Sequence, residues 1–480
     1  MKRLLYNSLS TLFILAMFWL GAAPAHAQSD ASAYIPLLHN GALPLCRVGI
    51  NGTPGSYPIK PLRLGWYLDY SAGGHSIANA GLEYYPMLRL EQTNSGYNFS
   101  FEHDHDPIAT EAQLRASVAM RPGSHWFIGN EPDRKQYQDD IEPQVYAQAY
   151  HDLYHIIKSE DPTAKIVAGA IVQPTPVRLQ YLDMVLAHYQ SQYGTSMPVD
   201  VWAFHNFVLN EANCSHYEDQ VNSPGELEAI CWGADIPPGV DATDGLRIDV
   251  QDNDDFELFK QQVVRFREWM AANDYRNTPA FLSEFGVLMP PGRFKPDFDS
   301  ARVNDFMNKT FDYLLNTTDP NIGYPADNNR LVQRFAWYSI EDKTDHNGFL
   351  FDYSKPPATS RTEMGDNFFR YTSAMGESND FFPTDIALNG TTLQAVINNS
   401  GNLAAGTAAT VRFFDGDPNS GGEQIGNAQT VNLQGCGDRA MASVQWNGAA
   451  GSHTVYVQVS ASSDLNTSNN QTSATVNVSN

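Results

Sequence analysis

The sequence predicts a (β/α)8 TIM barrel followed by an all-β sandwich of immunoglobulin-like size. Three observations predict it. From about residue 62 to 377, short apolar runs alternate with amphipathic helical patterns, as expected where helices connect neighbouring parallel strands. Beyond about residue 377 the composition shifts: residues 384–480 hold no Lys, only Arg412 and Arg439 as bases, six acids, and many Asn, Ser, Thr, Gly and Val. Within that tail, short alternating runs recur between turn clusters, which is the pattern of a sandwich.

Residues 1–27 read as an export signal. Lys2 and Arg3 precede a largely apolar run from Leu12 to Ala23, and Ala25-His26-Ala27 supplies the small-x-small cleavage pattern. The mature chain is expected to start at Gln28 and to be secreted or extracytoplasmic. No later stretch has 18 uninterrupted apolar residues, so no membrane span is expected. Residues 28–61 are rich in Pro and Gly and read as irregular, which puts the barrel over 62–377. Seven runs read as its buried strands: Leu62 to Tyr70, Tyr84 to Leu90, Trp126 to Gly129, Lys165 to Val172, Val199 to Phe207, Pro279 to Val287 and Val332 to Ile340. The eighth is placed at Tyr97 to Phe101. Between strands, Gln144 to Glu160 spaces Val145, Ala149, Leu153 and Ile157 as one helix face, with Pro143 at its start and Asp161-Pro162 at its end. Phe256 to Ala272 does the same with Phe259, Val263, Phe266 and Met270. In the tail, Thr392 to Ile397, Thr410 to Phe414, Ala442 to Trp446 and His453 to Val459 read as sandwich strands.

The chain has 480 residues with 30 Lys and Arg against 54 Asp and Glu, a net charge of −24. Such an acidic surface excludes nucleic acid and anionic membranes as partners. A hydrophobic share of 42% excludes wholesale disorder. Only six of the acids lie in the sandwich, so the barrel carries most of the negative field, which favours a neutral polymer over an acidic one as ligand. Export makes disulfides available. Cys214 and Cys231 share one insertion and form a candidate pair, while Cys46 and Cys436 stand near opposite ends and could pair or stay free. No C-x-x-C spacing points to a metal or redox site.

Two glutamates close predicted buried strands: Glu131 in Gly129-Asn130-Glu131-Pro132-Asp133 and Glu284 in Leu282-Ser283-Glu284-Phe285-Gly286. Barrel enzymes place their catalytic groups at the C-terminal ends of strands. Two carboxylates facing each other across that mouth suit glycosidic cleavage, one protonating the leaving oxygen while the other attacks the anomeric carbon or activates water.

These two motifs resemble the fourth and seventh strands of the clan A retaining glycoside hydrolases. Asp200-Val201-Trp202-Ala203-Phe204-His205 resembles the sixth strand, Gln333-Arg334-Phe335-Ala336-Trp337-Tyr338 the eighth, and Tyr85-Pro86-Met87-Leu88-Arg89 an early one. Within the clan, the sequence is most similar to the catalytic-core family that includes β-1,3-glucanases, over residues 62 to 377. The resemblance implies a retaining enzyme without cofactor or catalytic metal, acting on a polysaccharide or oligosaccharide, with Glu131 as acid/base and Glu284 as nucleophile. It implies that Asn130 holds the sugar 2-hydroxyl, that His205 orients a carboxylate, that Trp337 stacks under the sugar with Tyr338 beside it, and that Arg89 keeps Glu284 ionised. One departure matters. Phe207 stands where the family often has a Tyr, so a hydroxyl near the nucleophile is missing from that strand. The tail resembles the adhesion-related β-domain of exported bacterial proteins, which implies attachment to a cell surface or glycan, or a spacer role.

Two competing readings stand beside this one. A retired barrel could bind glycans or serve adhesion without cleaving, although binding alone needs no glutamate pair. Glu102-His103-Asp104-His105-Asp106 offers metal-ligand types, but no further ligand at suitable spacing accompanies it, so a polar loop at the barrel mouth is the expectation.

Overall fold

The computed structural model describes residues 42–73, 82–213, 230–341 and 346–479. The export signal and Cys214 lie outside the described residues.

The first part is a curled, mostly parallel sheet. In chain order its strands are β1 (Leu45–Asn51), β2 (Leu64–Leu68), β3 (Glu83–Tyr84), β4 (Met87–Thr93), β5 (Gly96–Ser100), β6 (His125–Ile128), β7 (Lys165–Ile171) and β8 (Val201–Asn206). A small pair follows, β9 (Asn210–Glu211) with β10 (Gly233–Ala234), and then β11 (Ala280–Phe285) and β12 (Arg334–Trp337) complete the sheet. Parallel pairing runs β2-β1-β12-β11-β8-β7-β6-β4. The remaining gap closes because β3 and β4 belong to one extended stretch. Tyr85 N–H donates to Tyr67 O on one side (3.0 Å), and Phe127 N–H donates to Pro86 O on the other (2.9 Å). With β3 and β4 counted together, eight staves form the barrel among the described residues.

The expected eighth strand is corrected. Residues 97–101 fall largely in β5, which pairs antiparallel with β4 as a hairpin and is not a barrel stave. The missing stave is β1, inside the segment read as irregular. Its pattern hid it. Arg47 interrupts the apolar run and reads as solvated, yet it is buried because Asp327, 280 residues away, takes its guanidinium in two bonds of 2.7 Å. An isolated buried cation would be costly, and only the paired one is tolerated. Gly49 on the same strand is required by close approach, since a Cβ there would lie 2.3 Å from the Trp66 ring.

Helices cover the outside: α1 (Glu111–Ala119), α2 (Pro143–Glu160), α3 (Pro176–Tyr193), α4 (Phe256–Ala272), α5 (Ser300–Asn316) and α6 (Glu363–Ala374). In α2, Ala149, Leu153 and Ile157 are buried, and in α4, Phe259, Val263, Phe266 and Met270, as helical spacing demands. Inside the barrel Trp66, Tyr85, Met87, Phe127, Val167 and Phe281 pack together, so the barrel is filled and its chemistry is confined to its ends.

The second part has two antiparallel sheets. One orders β13 (Phe381–Asn389), β14 (Thr392–Asn399) and β17 (Asp438–Gln445). The other orders β16 (Glu423–Leu433), β15 (Thr407–Asp415), β18 (Gly451–Ser460) and β19 (Gln471–Val478). Alternate residues such as Leu393, Ala395, Ile397, Val411, Phe413, Val455 and Val457 fill the space between the sheets. Trp446 is half-buried against this core, edge-on to His453 at 5.1 Å.

The sandwich is fastened to the barrel. Cys46 of β1 and Cys436 form a disulfide, and Arg47 next to it also donates to Ser400 O (2.9 Å) and Gly401 O (3.1 Å). Arg334 of β12 donates to Gln434 Oε1 (3.1 Å) and to Tyr85 Oη (2.6 Å). Cys231 is disulfide-bonded as well.

Candidate active site

The C-terminal ends of the staves open into a cavity of about 1120 Å³ lined by Tyr70, Asn130, Glu131, Arg134, Phe207, Trp232, Glu284 and Tyr338, among others. Strand register brings the first two chemical groups together. Glu284 on β11 and His205 on β8 are direct partners across neighbouring strands. Glu131 arrives from the other side, three residues past β6, in a left-handed conformation (φ 42°) that non-glycine residues seldom adopt.

Buried polar residues clamp that turn. Asp139 accepts from Asn130 N–H (2.8 Å) and pairs with Arg89 (2.7 Å). Asp133 pairs with Arg178 (2.6 Å), which also holds Glu211 (2.6 Å), and all three are fully buried. Val172 N–H donates to Asp133 Oδ1 (3.2 Å). Glu131 is thus set by its own loop, which is held by Arg89 from β4 and Arg178 from α3.

The result is a carboxylate–imidazole–carboxylate row. His205 Nδ1 lies 2.9 Å from Glu131 Oε1, and Nε2 lies 3.3 Å from Glu284 Oε1. Arg134 Nη1 lies 3.2 Å from Glu131 Oε2. Burial opposes ionisation of Glu131, but Arg134 and the His205 bond outweigh it and hold its pKa down at about 2. Glu284 goes the other way. Burial first, and then repulsion from Glu131, push it up to about 7 against the pull of His205, Tyr70 and Arg134. His205 is raised: burial disfavours its charge, but Glu284 and Glu131 outweigh that.

Several polar atoms around the row are buried and lack a hydrogen-bond partner: Tyr70 Oη, Asn130 Oδ1, His205 Nε2 and Glu284 Oε1. The indole N–H groups of Trp66, Trp126 and Trp202 share that condition elsewhere. What distinguishes the site is that donors and acceptors are left open side by side in one cavity, as a polyhydroxylated ligand requires.

Other expected residues fall differently. Asn130 is buried, with its amide donating to Gln138 Oε1 (3.0 Å) and its oxygen left open. Arg89 directs its guanidinium to Asp139, Gln138 and His103 rather than to Glu284, so it steadies the Asn130 turn from behind. Trp337 is corrected most clearly. It is fully buried, its N–H donates to Gly348 O (2.7 Å), and its ring meets Phe285 edge-on at 5.3 Å. Successive residues of a strand point to opposite faces, so Tyr338 is the ring that reaches the cavity. His103 Nδ1 faces the Arg89 guanidinium at 2.8 Å and must accept from it, while His105 lies 3.6 Å from Asp139. Neither joins a cluster of metal-ligating groups among the described residues. Glu131, His205 and Glu284 could each offer a ligand atom within 4.8 Å of the others, and the imidazole lies between the carboxylates with Nδ1 hydrogen-bonded to Glu131 and Nε2 towards Glu284.

Residues 55–225 match the family described as glycosyl hydrolase catalytic core. That stretch is similar to a glycosyl hydrolase catalytic core. The matched part of the core contains Asn130, Glu131 and His205, and Glu284 lies beyond it. No curated protein matches the chain. Among solved structures, the chain is similar to wild-type BuGH86 in complex with neoagarooctaose, at 10% identity over 79% of this chain and 66% of that one, with a TM-score of 0.32. It is similar to an exo-chitosanase of Amycolatopsis orientalis at 14% identity over 92% and 49%, with a TM-score of 0.26. A CARDB domain from Pyrococcus furiosus, solved with di-metal ions, matches 22% of the chain at 16% identity over 87% of its own length, with a TM-score of 0.16. The chain spans less than two thirds of the length of the first two.

Proposed function

We propose that the protein is an exported retaining glycoside hydrolase that cleaves a neutral β-linked polysaccharide such as a β-1,3-glucan. The observation that carries this reading is the Glu131–Glu284 pair at the C-terminal mouth of the barrel, with one oxygen from each within 4.8 Å. A carboxyl separation of about 5–5.5 Å belongs to retaining hydrolysis, whereas inversion needs roughly 6.5–9.5 Å to admit water. The cavity exceeds the roughly 300–1,000 Å³ of ordinary small-molecule sites, which suits several sugar units.

In this reading Glu284 attacks the anomeric carbon while Glu131 protonates the leaving oxygen, and Glu131 then takes a proton from the water that releases the sugar. The free protein holds the opposite protonation, with Glu131 ionised beside Arg134 and Glu284 protonated up to about 7. Arg134 is one-fifth exposed and lines the cavity, so a seated sugar can displace it from Glu131 and let the proton move there. Tyr338 offers a ring face to the sugar, and the open oxygen of Asn130 accepts from a hydroxyl. The Cys46–Cys436 disulfide fits an oxidising compartment, and no helix among the described residues is long and apolar enough to cross a membrane. The sandwich serves attachment or spacing.

The test is product analysis on laminarin beside cellulose and mannan, repeated with Glu284→Ala. Release of product with retained anomeric configuration, abolished in the variant, is the expected result. No cleavage of any glycan, or full activity in the variant, overturns the reading.

A further inference from the structure

We propose that Trp232, carried by the insertion between β8 and α4, is a further ring on which a sugar unit of the bound glycan packs, and that Arg178 fixes this ring relative to Glu131. The identity of the ligand rests on the function proposed above.

Trp337, the ring expected under the sugar, is sealed inside the fold, and so are Trp66, Trp126 and Trp202. Trp232 is instead half-buried and lines the cavity that holds Glu131 and Glu284. Arg293 lies over the indole at 4.6 Å and Phe294 meets it edge-on at 5.2 Å, which steadies its orientation. A flat indole packs against the C–H face of a sugar ring, burying apolar area while the hydroxyls at the rim stay free to bond. The chain on either side is tied down. Asn210 Nδ2 donates to Ile230 O (2.5 Å), and Cys231 is disulfide-bonded. Gly233 on β10 pairs with Asn210 on β9 so closely that a Cβ there would lie 2.0 Å from Asn210 O. Fully buried Arg178 joins this wall to the turn that carries Glu131. It donates to Asp235 O (2.7 Å), three residues past Trp232, and to Glu211 Oε1 (2.6 Å) on β9. Thr175 Oγ1 (2.8 Å) and Leu246 N–H (2.8 Å) complete the shell of Glu211. The same guanidinium bonds Asp133, two residues past Glu131, at Oδ2 (2.6 Å) and at its carbonyl (2.9 Å). A planar fork with donors in fixed directions holds two chain segments at one spacing, which the compact ammonium of a lysine does not.

Binding is read by titration calorimetry with laminarihexaose, cellohexaose and mannohexaose, in the full-length protein carrying Glu284→Ala so that no probe is consumed. Trp232→Ala is expected to weaken the tightest of these complexes about 10- to 100-fold. Trp232→Phe is expected to restore most of the loss, and Trp232→Leu, apolar but not flat, to restore little of it. With Glu284 in place, the Trp232→Ala loss is expected in KM with kcat within about threefold, because the ring holds substrate and transition state alike. Arg178→Lys is expected to weaken binding about tenfold when Trp232 is present and by less than about threefold in Trp232→Ala, and equal losses in the two backgrounds overturn the role of Arg178. If Trp232→Ala binds within about threefold of its parent, if Trp232→Leu binds as well as Trp232→Phe, or if no hexaose binds at all, the inference is overturned. If binding depends on Trp232 but the unaltered protein cleaves no glycan, the platform stands and the proposed function falls.

Discussion

The two ends of the barrel treat buried polar groups in opposite ways. At the closed end, against the sandwich, Arg47 is bonded to Asp327, Ser400 and Gly401, Ser400 Oγ also reaches Asp327 (2.8 Å), and Arg334 is bonded to Tyr85, Glu83 and Gln434. At the open end, Tyr70, Asn130, His205 and Glu284 each leave a buried atom without a partner. A protein that satisfies its charges so fully at one end is able to do so at the other. At the open end the unpartnered atoms of Tyr70, Asn130 and Glu284 line one cavity, which is what the proposed glycan site would need.

The comparison can be broken at its functional side first. Glu131→Gln is expected to cost about 10²- to 10⁴-fold in kcat on substrates with poor leaving groups and far less on an activated aryl glycoside, because acid assistance matters only where the departing oxygen is basic. A uniform loss across leaving groups would reassign Glu131. Next in size is the pH dependence. Hydrolysis needs one proton on the Glu131–Glu284 pair, and with Glu131 held down at about 2 and Glu284 raised to about 7 that proton is lost above about 7, so kcat/KM is expected to be level below that value and to drop about tenfold per unit above it. A profile that stays level well above pH 7 would show that Glu284 does not hold the proton of the pair.

At the closed end, Arg47→Ala leaves Asp327 buried and unpaired, and is expected to lower unfolding stability by about 3–5 kcal/mol in a denaturant titration while activity at 25 °C in the folded fraction persists. If activity is lost in step with Glu131→Gln, the two ends are coupled and their contrast is not a division of labour. The smallest effect is expected at Trp446. Trp446→Ala loosens a half-buried ring on the sandwich and is expected to leave glycan hydrolysis unchanged, whereas weakened glycan retention in a pull-down would give the sandwich a binding role.

Legibility in the sequence followed periodicity. Strands β6, β7, β8, β11 and β12 and helices α2 and α4 lie within or overlap the runs read for them, because burial on a repeating face leaves a local pattern. Strand β1 failed because Arg47 broke that pattern and its compensation lay 280 residues away. The Trp337 expectation failed by one residue, which on a strand is a change of face. Tyr70, Arg134 and the Asp133–Arg178–Glu211 cluster were missed because each is unremarkable in sequence and gains its meaning from partners on other staves.

The sequence by itself determined the class of the fold, the shift from barrel to sandwich, and the two strand-end glutamates with the histidine between them in chain order. Those follow from local patterning, which a chain carries before it folds. Tertiary structure decided the rest: the stave that closes the barrel, the pairing of Cys46 with Cys436, the ring that faces the cavity, and the unequal proton affinities of Glu131 and Glu284. Each depends on distance and burial between residues far apart in sequence. Charge–charge energy scales with separation and surrounding dielectric, and both are set only when the barrel closes.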